Sequence, residues 1–331
     1  MADPSILDHR VAQGAALLAR VEQEVGRVVV GQRALVERMV LALLCDGHLL
    51  IEGVPGLGKS LAVAALAQAL ALEFRRIQFT PDLLPADVIG TQIFRPGGGD
   101  FTVRKGPLFT ELLLADEINR APPKVQSALL EAMQERQVTI GDQSFPLPRP
   151  FLVLATQNPI EHEGTYPLPE AQLDRFLFKV RVDYPARDDE AEILRRHGRA
   201  APPTAAGVKK VATREELLSA RALVDEVYAD EKIVDYVLRL VAATRAPPRS
   251  GSAGIDGALR LGASTRAALA LLVAAKGLAL LRGRSFVAPG DVKELAPDVL
   301  RHRLLLSFEA EASGATADSV VAELLRAVPV P

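Results

Sequence analysis

The sequence holds one cysteine, Cys45, among 331 residues, so no disulfide can close within the chain. That excludes a disulfide-stapled scaffold and fits a reducing compartment. Cys45 follows the apolar run Met39–Leu44, and a core-filling role is expected of it. Tryptophan is absent and aromatic residues make up 5%, which leaves few platforms for stacking bases. An excess of one charge is missing too: 39 Lys and Arg against 41 Asp and Glu give a net charge of −2. A strongly basic nucleic-acid-binding surface is therefore not expected. No apolar stretch reaches the ~18–20 residues that a membrane span needs. The longest ones are broken by Asp46 and Lys276. The opening Met-Ala-Asp-Pro-Ser lacks a basic flank followed by an apolar segment, so no signal peptide is expected. A cytoplasmic protein without a membrane span is the expectation.

What remains is ordinary globular material, 49% apolar and 24% charged. At roughly 100–200 residues per domain, the length suggests about two folded units. Residues 5–27 carry helical spacing at Ile6, Val11, Ala15, Leu18 and Val21, and 32–45 read as a second helix. Short apolar runs then alternate with helical segments: His48–Glu52, Arg76–Thr80, Leu112–Asp116, Phe151–Thr156 and Leu177–Val182. This alternation predicts a parallel sheet buried on both faces by helices. Val125, Ala128, Leu129, Ala132 and Met133 give Lys124–Glu135 a clear helical period after Pro122-Pro123. Two hairpins interrupt the pattern, 91–104 around Pro96-Gly97-Gly98-Gly99-Asp100 and 137–147 around Gly141-Asp142. Residues 197–212 and 246–262 read as loops, and from Thr213 the chain reads helical, at 213–227, 229–243, 265–282 and 289–306. The expected organisation is an N-terminal helix over 1–30, an α/β core over 31–186 and a small all-α domain over 187–331.

Gly53-Val54-Pro55-Gly56-Leu57-Gly58-Lys59-Ser60 matches the phosphate-binding pattern G-x-x-x-x-G-K-[ST] in full. It follows a strand-like run and opens a helix at Leu61, the context this pattern requires. Glycines let backbone N–H groups turn toward phosphate oxygens at the positive end of a helix. Lys59 would neutralise the β and γ phosphates of ATP, and Ser60 would give its hydroxyl to Mg²⁺. Leu112-Leu-Leu-Ala-Asp116-Glu117 is an apolar strand ending in two acids. Asp116 would hold magnesium and Glu117 would act as general base toward water. Asn158, beyond another strand, is placed either to orient that water or to form a plain Asn-Pro turn. Arg175 ends a short helix, where it either completes that helix C-terminally or reaches the γ-phosphate of a neighbouring subunit. Arg266 stands in the first turn of a helix after the expected N-cap Ser264. There it opposes the helix dipole unless a phosphate is bound. Glu161-His162-Glu163 does not form a zinc motif, and an Asn-Lys-x-Asp segment for guanine is absent.

Together these residues resemble the MoxR family of AAA+ ATPases. The likeness is densest over residues 115–135, in Ala155-Thr-Gln-Asn-Pro-Ile160, and in Gly164-Thr-Tyr-Pro-Leu-Pro-Glu-Ala-Gln-Leu-Asp-Arg-Phe176. The resemblance implies Walker A at Gly53–Ser60, Walker B at Asp116-Glu117, a first sensor at Asn158, an arginine finger at Arg175 and a second sensor at Arg266. It also implies that Val30-Gly31-Gln32 borders the adenine. The hairpin at 91–104 then corresponds to the helix-2 insert, and the one at 137–147 to the hairpin before the first sensor. Many relatives carry Pro at the position of Thr265 and Gln at that of His162. Members resemble chaperones, form hexameric rings and act with von Willebrand factor A domain proteins in protein maturation or metal insertion. A nucleic-acid motor is the alternative, since related enzymes with the same insert unwind DNA. The hairpins argue against it, because Arg95, Arg104 and Lys105 with Asp100, and Arg149 with Asp142, make a mildly basic set at best.

Overall fold

A computed structural model of the protein describes residues 4–54, 56–95, 100–158, 164–198, 204–245 and 257–331. The chain packs as two compact units, one comprising 20–176 and 180–217, the other 1–19, 177–179 and 218–331.

Helices α1 (Pro4–Gly26) and α2 (Arg33–Leu44) lead into β1 (Leu49–Glu52), α3 (Lys59–Leu70) and β2 (Phe74–Gln78). A short α4 (Pro85–Ile89) precedes the hairpin of β3 (Gly90–Arg95) and β4 (Asp100–Lys105). Then come β5 (Leu112–Asp116), a 3₁₀ turn at Ile118–Arg120, α5 (Pro123–Glu135), and the second hairpin, β6 (Gln137–Ile140) with β7 (Gln143–Pro146). Next are β8 (Leu152–Gln157), α6 (Glu170–Leu173), β9 (Phe178–Arg181) and α7 (Arg187–His197). The remainder is α8 (Arg214–Glu226), α9 (Glu231–Ala243), β10 (Leu259–Leu261), α10 (Thr265–Leu281), α11 (Pro289–Leu300), β11 (Leu305–Leu306), α12 (Phe308–Ala312) and α13 (Ala317–Ala327).

The five-stranded sheet runs β2-β5-β8-β1-β9, and β2, β5, β8 and β1 pair in parallel. Leu112, Leu113, Leu114 and Ala115 of β5 are all fully buried, as expected of a strand covered on both faces. In α3, Ala62, Val63, Ala65, Leu66, Ala69 and Leu70 are likewise buried, so this helix lies deep in its unit. The sheet's strand order crosses over at β5-β8-β1, and the carboxyl ends of these strands carry Asp116, Gln157 and Glu52. Such a crevice is where open α/β sheets collect ligands.

Several expectations need correction. The helix expected over 289–306 ends at Leu300, and Leu305–Leu306 instead pair antiparallel with Leu259–Leu261, inside a stretch read as loop. The apolar run Leu304-Leu305-Leu306 continues the helical pattern, which hides the stop. Arg303 ends the helix by folding back onto Val299 O and Leu177 O. Helix α7 lies within the stretch expected to be all-α, but is not among the individual helices read from the sequence. None of its residues is buried, and its apolar side chains are few, chiefly Ile193 and Leu194. Acids Asp188, Asp189 and Glu190 in its first turn and Arg195, Arg196 and His197 in its last complement its dipole. Ile6, expected on the buried face of α1, is 55% exposed, whereas Val11, Leu18 and Val21 are buried. Cys45 is half-buried at the C-cap of α2 and does not fill the core. Among the described residues, no helix is long and apolar enough to cross a membrane.

Candidate functional site

The loop after β1 is shaped by a close approach. A Cβ on Gly53 would stand 2.5 Å from Val182 O, so only glycine fits where the chain leaves the sheet. Gly58 adopts φ +73 as the N-cap of α3, a left-handed conformation that opens the first turn of the helix toward the loop. Lys59 Nζ donates to Gly53 O at 2.6 Å, closing the loop on itself. Burial pushes the Lys59 ammonium pKa down, while the negative charges of Asp116 and Glu117 oppose that shift.

A cavity of about 240 Å³ opens above the loop. Lys59 and Ser60 form one wall, Asp116 and Glu117 a second, Thr156, Gln157 and Asn158 a third, and Arg76 with Gln78 a fourth. Asp116 Oδ1 accepts from the Thr156 hydroxyl at 2.6 Å, and Oδ2 accepts from Arg76 Nη2 at 2.6 Å and Nε at 3.1 Å. Thr156 Oγ1 in turn accepts from the Glu117 amide at 2.8 Å. Consecutive residues of a strand face opposite ways, yet Asp116 and Glu117 line the same cavity. The reason is a left-handed Glu117, φ +58, which turns the chain out of β5. Such a conformation costs a non-glycine residue about 1 kcal/mol. The Thr156 bond and the following 3₁₀ turn hold it. Glu117 Oε2 lies 3.2 Å from Arg120 Nη1.

The donor set fits a hard divalent cation. Ser60 and Asp116 offer only oxygen, the ligand type that magnesium prefers. Among the described residues, no group of three or more His, Cys, Asp or Glu could hold a metal alone. A cation here would complete its shell with water and phosphate.

A second cavity, of about 560 Å³, shares Gly56, Leu57 and Gly58 with the first. Val28, Val29, Val30, Leu61, Tyr184, Pro185, Ile193 and Leu194 make its walls largely apolar, a setting suited to a flat heterocyclic base. The segment before Gly31 is pinned from α7. Arg196 Nη1 donates to Arg27 O at 2.7 Å, and His197 Nε2 lies 3.1 Å from Val28 O. Gln32 donates its amide to Leu57 O, joining this segment to the phosphate loop. Gly31, at φ +74, sits against Asp189.

The expected site residues Val30, Gly53, Gly56, Leu57, Gly58, Lys59, Ser60, Leu61, Asp116, Glu117 and Asn158 thus line the two cavities, with Val54 next to Gly53 in the loop after β1. Pro55 and His162 lie outside the described residues. Arg175 lines neither cavity. Its helix stops at Leu173, its amide donates to Gln172 O at 3.2 Å, and its Nη1 donates to Leu130 O of α5 at 2.7 Å. Arg266 lies in the other unit, exposed, its amide donating to the N-cap Ser264 at 3.2 Å. Sequence reasoning missed Arg76, Gln78 and Thr156 in the first cavity. In the second it missed Tyr184, Ile193, Leu194 and His197.

Residues 48–178 match the ATPase family associated with various cellular activities (AAA), and residues 252–324 match the AAA lid domain. Over 314 residues the chain is 52% identical to the chaperone MoxR1 of Mycobacterium tuberculosis, covering 95% of this chain and 82% of that one. The chain belongs to the MoxR family of AAA+ ATPases. Bacillus subtilis YeaC, a protein of uncharacterised role, is 44% identical over 315 residues, with 95% of each chain covered. A crystal structure of a candidate ATPase from Cytophaga hutchinsonii superposes with a TM-score of 0.90 at 46% identity, covering 98% of this chain and 97% of that one. Membership of this family makes the MoxR-type chain an ATP-hydrolysing enzyme.

Proposed function

We propose that this chaperone-like AAA+ ATPase hydrolyses ATP with magnesium, works as a ring of identical subunits, and remodels a protein partner. The observation that carries the reading is the single cavity in which Lys59 and Ser60, at the head of α3, face Asp116 and Glu117 at the end of β5.

Lys59 and the α3 amides hold the β and γ phosphates, while the apolar cavity along Val28–Val30 and α7 takes the base. Ser60 and Asp116 would hold magnesium, which when bound supplies charge neutralisation between the β and γ phosphates. Glu117 accepts a proton from the attacking water, and Asn158 orients that water. Arg175 completes the charge balance in a neighbour's site, and Arg266 reports the γ-phosphate to the helical region. A core over 31–186 and a lid over 187–331 are the functional division this implies. The partner, by family likeness, is a protein with a von Willebrand factor A domain, acting with a protein client. Cytoplasmic residence accompanies this reading.

Glu117→Gln tests the core of the proposal. The variant should bind ATP with near-normal affinity and hydrolyse it at least ~100-fold more slowly, the low end of a general-base contribution. Normal turnover would assign the base to another group.

A further inference from the structure

Arg76 belongs to no phosphate-loop motif, yet it is bonded to the carboxylate assigned to the metal. It lies on the edge strand β2, where the register pairs Arg76 with Leu114 and Gln78 with Asp116. Arg76 and Asp116 are thus diagonal neighbours on one face, within reach of a long side chain. Nη2 and Nε approach Asp116 Oδ2 at 2.6 and 3.1 Å, and Nη2 also donates to Gln78 Oε1 at 3.1 Å. The remaining oxygen, Oδ1, takes the Thr156 hydroxyl. Both carboxylate oxygens are therefore engaged, one of them by a full positive charge. Lys59 adds a second cation to the same cavity, so two cations face the carboxylates of Asp116 and Glu117.

We infer that Arg76 is a positioning residue that serves as a built-in counter-ion for Asp116, occupying the oxygen that a divalent cation's shell requires and yielding it when metal arrives with nucleotide. The inference rests on reading the site as a magnesium-dependent ATPase. Metal alone must displace the guanidinium while offering it no other partner. Metal arriving with a polyphosphate brings anionic oxygens into the same cavity, and Arg76 exchanges one anion for another. The exchange makes metal affinity conditional on nucleotide, and by linkage nucleotide affinity conditional on metal. Arg76 is about half exposed and Asp116 far less so, which leaves the side chain room to swing.

Electron paramagnetic resonance of Mn²⁺, with and without ADP, reads this coupling directly and involves no turnover. In Arg76→Gln, Mn²⁺ without nucleotide should bind about two- to fivefold tighter, the range of one partly screened ion pair. The enhancement of Mn²⁺ binding by ADP should shrink by a similar factor. Arg76→Lys keeps the charge but not the two-pronged contact, and should fall between wild type and Arg76→Gln. Unchanged or weaker nucleotide-free Mn²⁺ binding in Arg76→Gln, with ADP binding intact in wild type, overturns the inference alone. Wild-type protein that binds no ADP would overturn the ATPase reading of the site, and this inference with it.

Discussion

The Thr156 hydroxyl donates a hydrogen bond to Asp116 and accepts one from the Glu117 amide, so one hydroxyl ties together the two acids at the end of β5. Thr156→Val keeps the shape and removes both bonds, leaving the Glu117 amide without this acceptor. Such a loss at a buried site costs about 1–3 kcal/mol. Hydrolysis should drop at least ~10-fold, about 1.4 kcal/mol of barrier, while ATP affinity changes little. Single-turnover rates alongside equilibrium binding separate the two, and unchanged single-turnover chemistry would deny Thr156 this role. Lys59→Ala, in contrast, should abolish ATP binding, and nucleotide affinity like that of wild type would sink the phosphate-loop assignment. At this scale the sequence is readable where chemistry is local along the chain. Gly53 to Ser60 carry their pattern within eight residues. Arg76 and Thr156 meet Asp116 only through sheet register, across 40 residues in each case, and no spacing announces that.

Strand β1 is anchored at its start by His48, which is fully enclosed. Its Nδ1 accepts from the Val153 amide at 3.0 Å, so Nε2 carries the proton and donates to Met133 O at 3.2 Å. Burial, reinforced by the Arg136 charge, pulls its pKa down to about 3. Unfolded histidine titrates near 6.5. Above that value both states are neutral and the full contribution is present. Below it the unfolded chain takes a proton that the folded one refuses, and stability falls until pH reaches about 3. The slope is about 1.4 kcal/mol per pH unit for one proton, or roughly 2 kcal/mol between pH 7 and pH 5 once the gradual onset is included. Urea midpoints at the two pH values should show this loss in wild type and a smaller one in His48→Gln. Equal losses would exclude His48 as a source. The elements themselves were legible where the period was strong, as in α5 and β5. The sequence concealed α7, because it buries no apolar face, and it concealed the end of α11, because leucines run on past it.

At the scale of the whole molecule, the family and both matched segments agree with an α/β core followed by a helical lid. The ring remains a functional proposal, and Arg175 makes it testable. Its Nη1 donates to Leu130 O of its own subunit, and a guanidinium has further N–H donors to offer a neighbour's site. ATPase activity per subunit should climb with protein concentration as light scattering detects oligomers. A flat rate from a monomer would remove the need for assembly. Mixing Arg175→Ala with Lys59→Ala subunits should restore part of the activity that each lacks alone. No recovery from variants that still assemble would confine Arg175 to its own subunit.

The two hairpins are mechanically joined. Lys105, at the foot of β4, stands 4.7 Å from the Phe109 ring centroid and 5.2 Å from that of Phe145 on β7. At the outer end, Phe94 and Phe101 pair face-exposed across β3 and β4. The β6–β7 hairpin continues directly from α5, whose Gln126 grips Ile118 O, Ala121 O and Tyr166 O, and whose Leu130 O holds Arg175. Ile118 is the residue after Glu117. The aromatic edge and Glu117 are therefore linked by one short series of contacts, Lys105 to Phe145 and Gln126 to Ile118, with α5 between them.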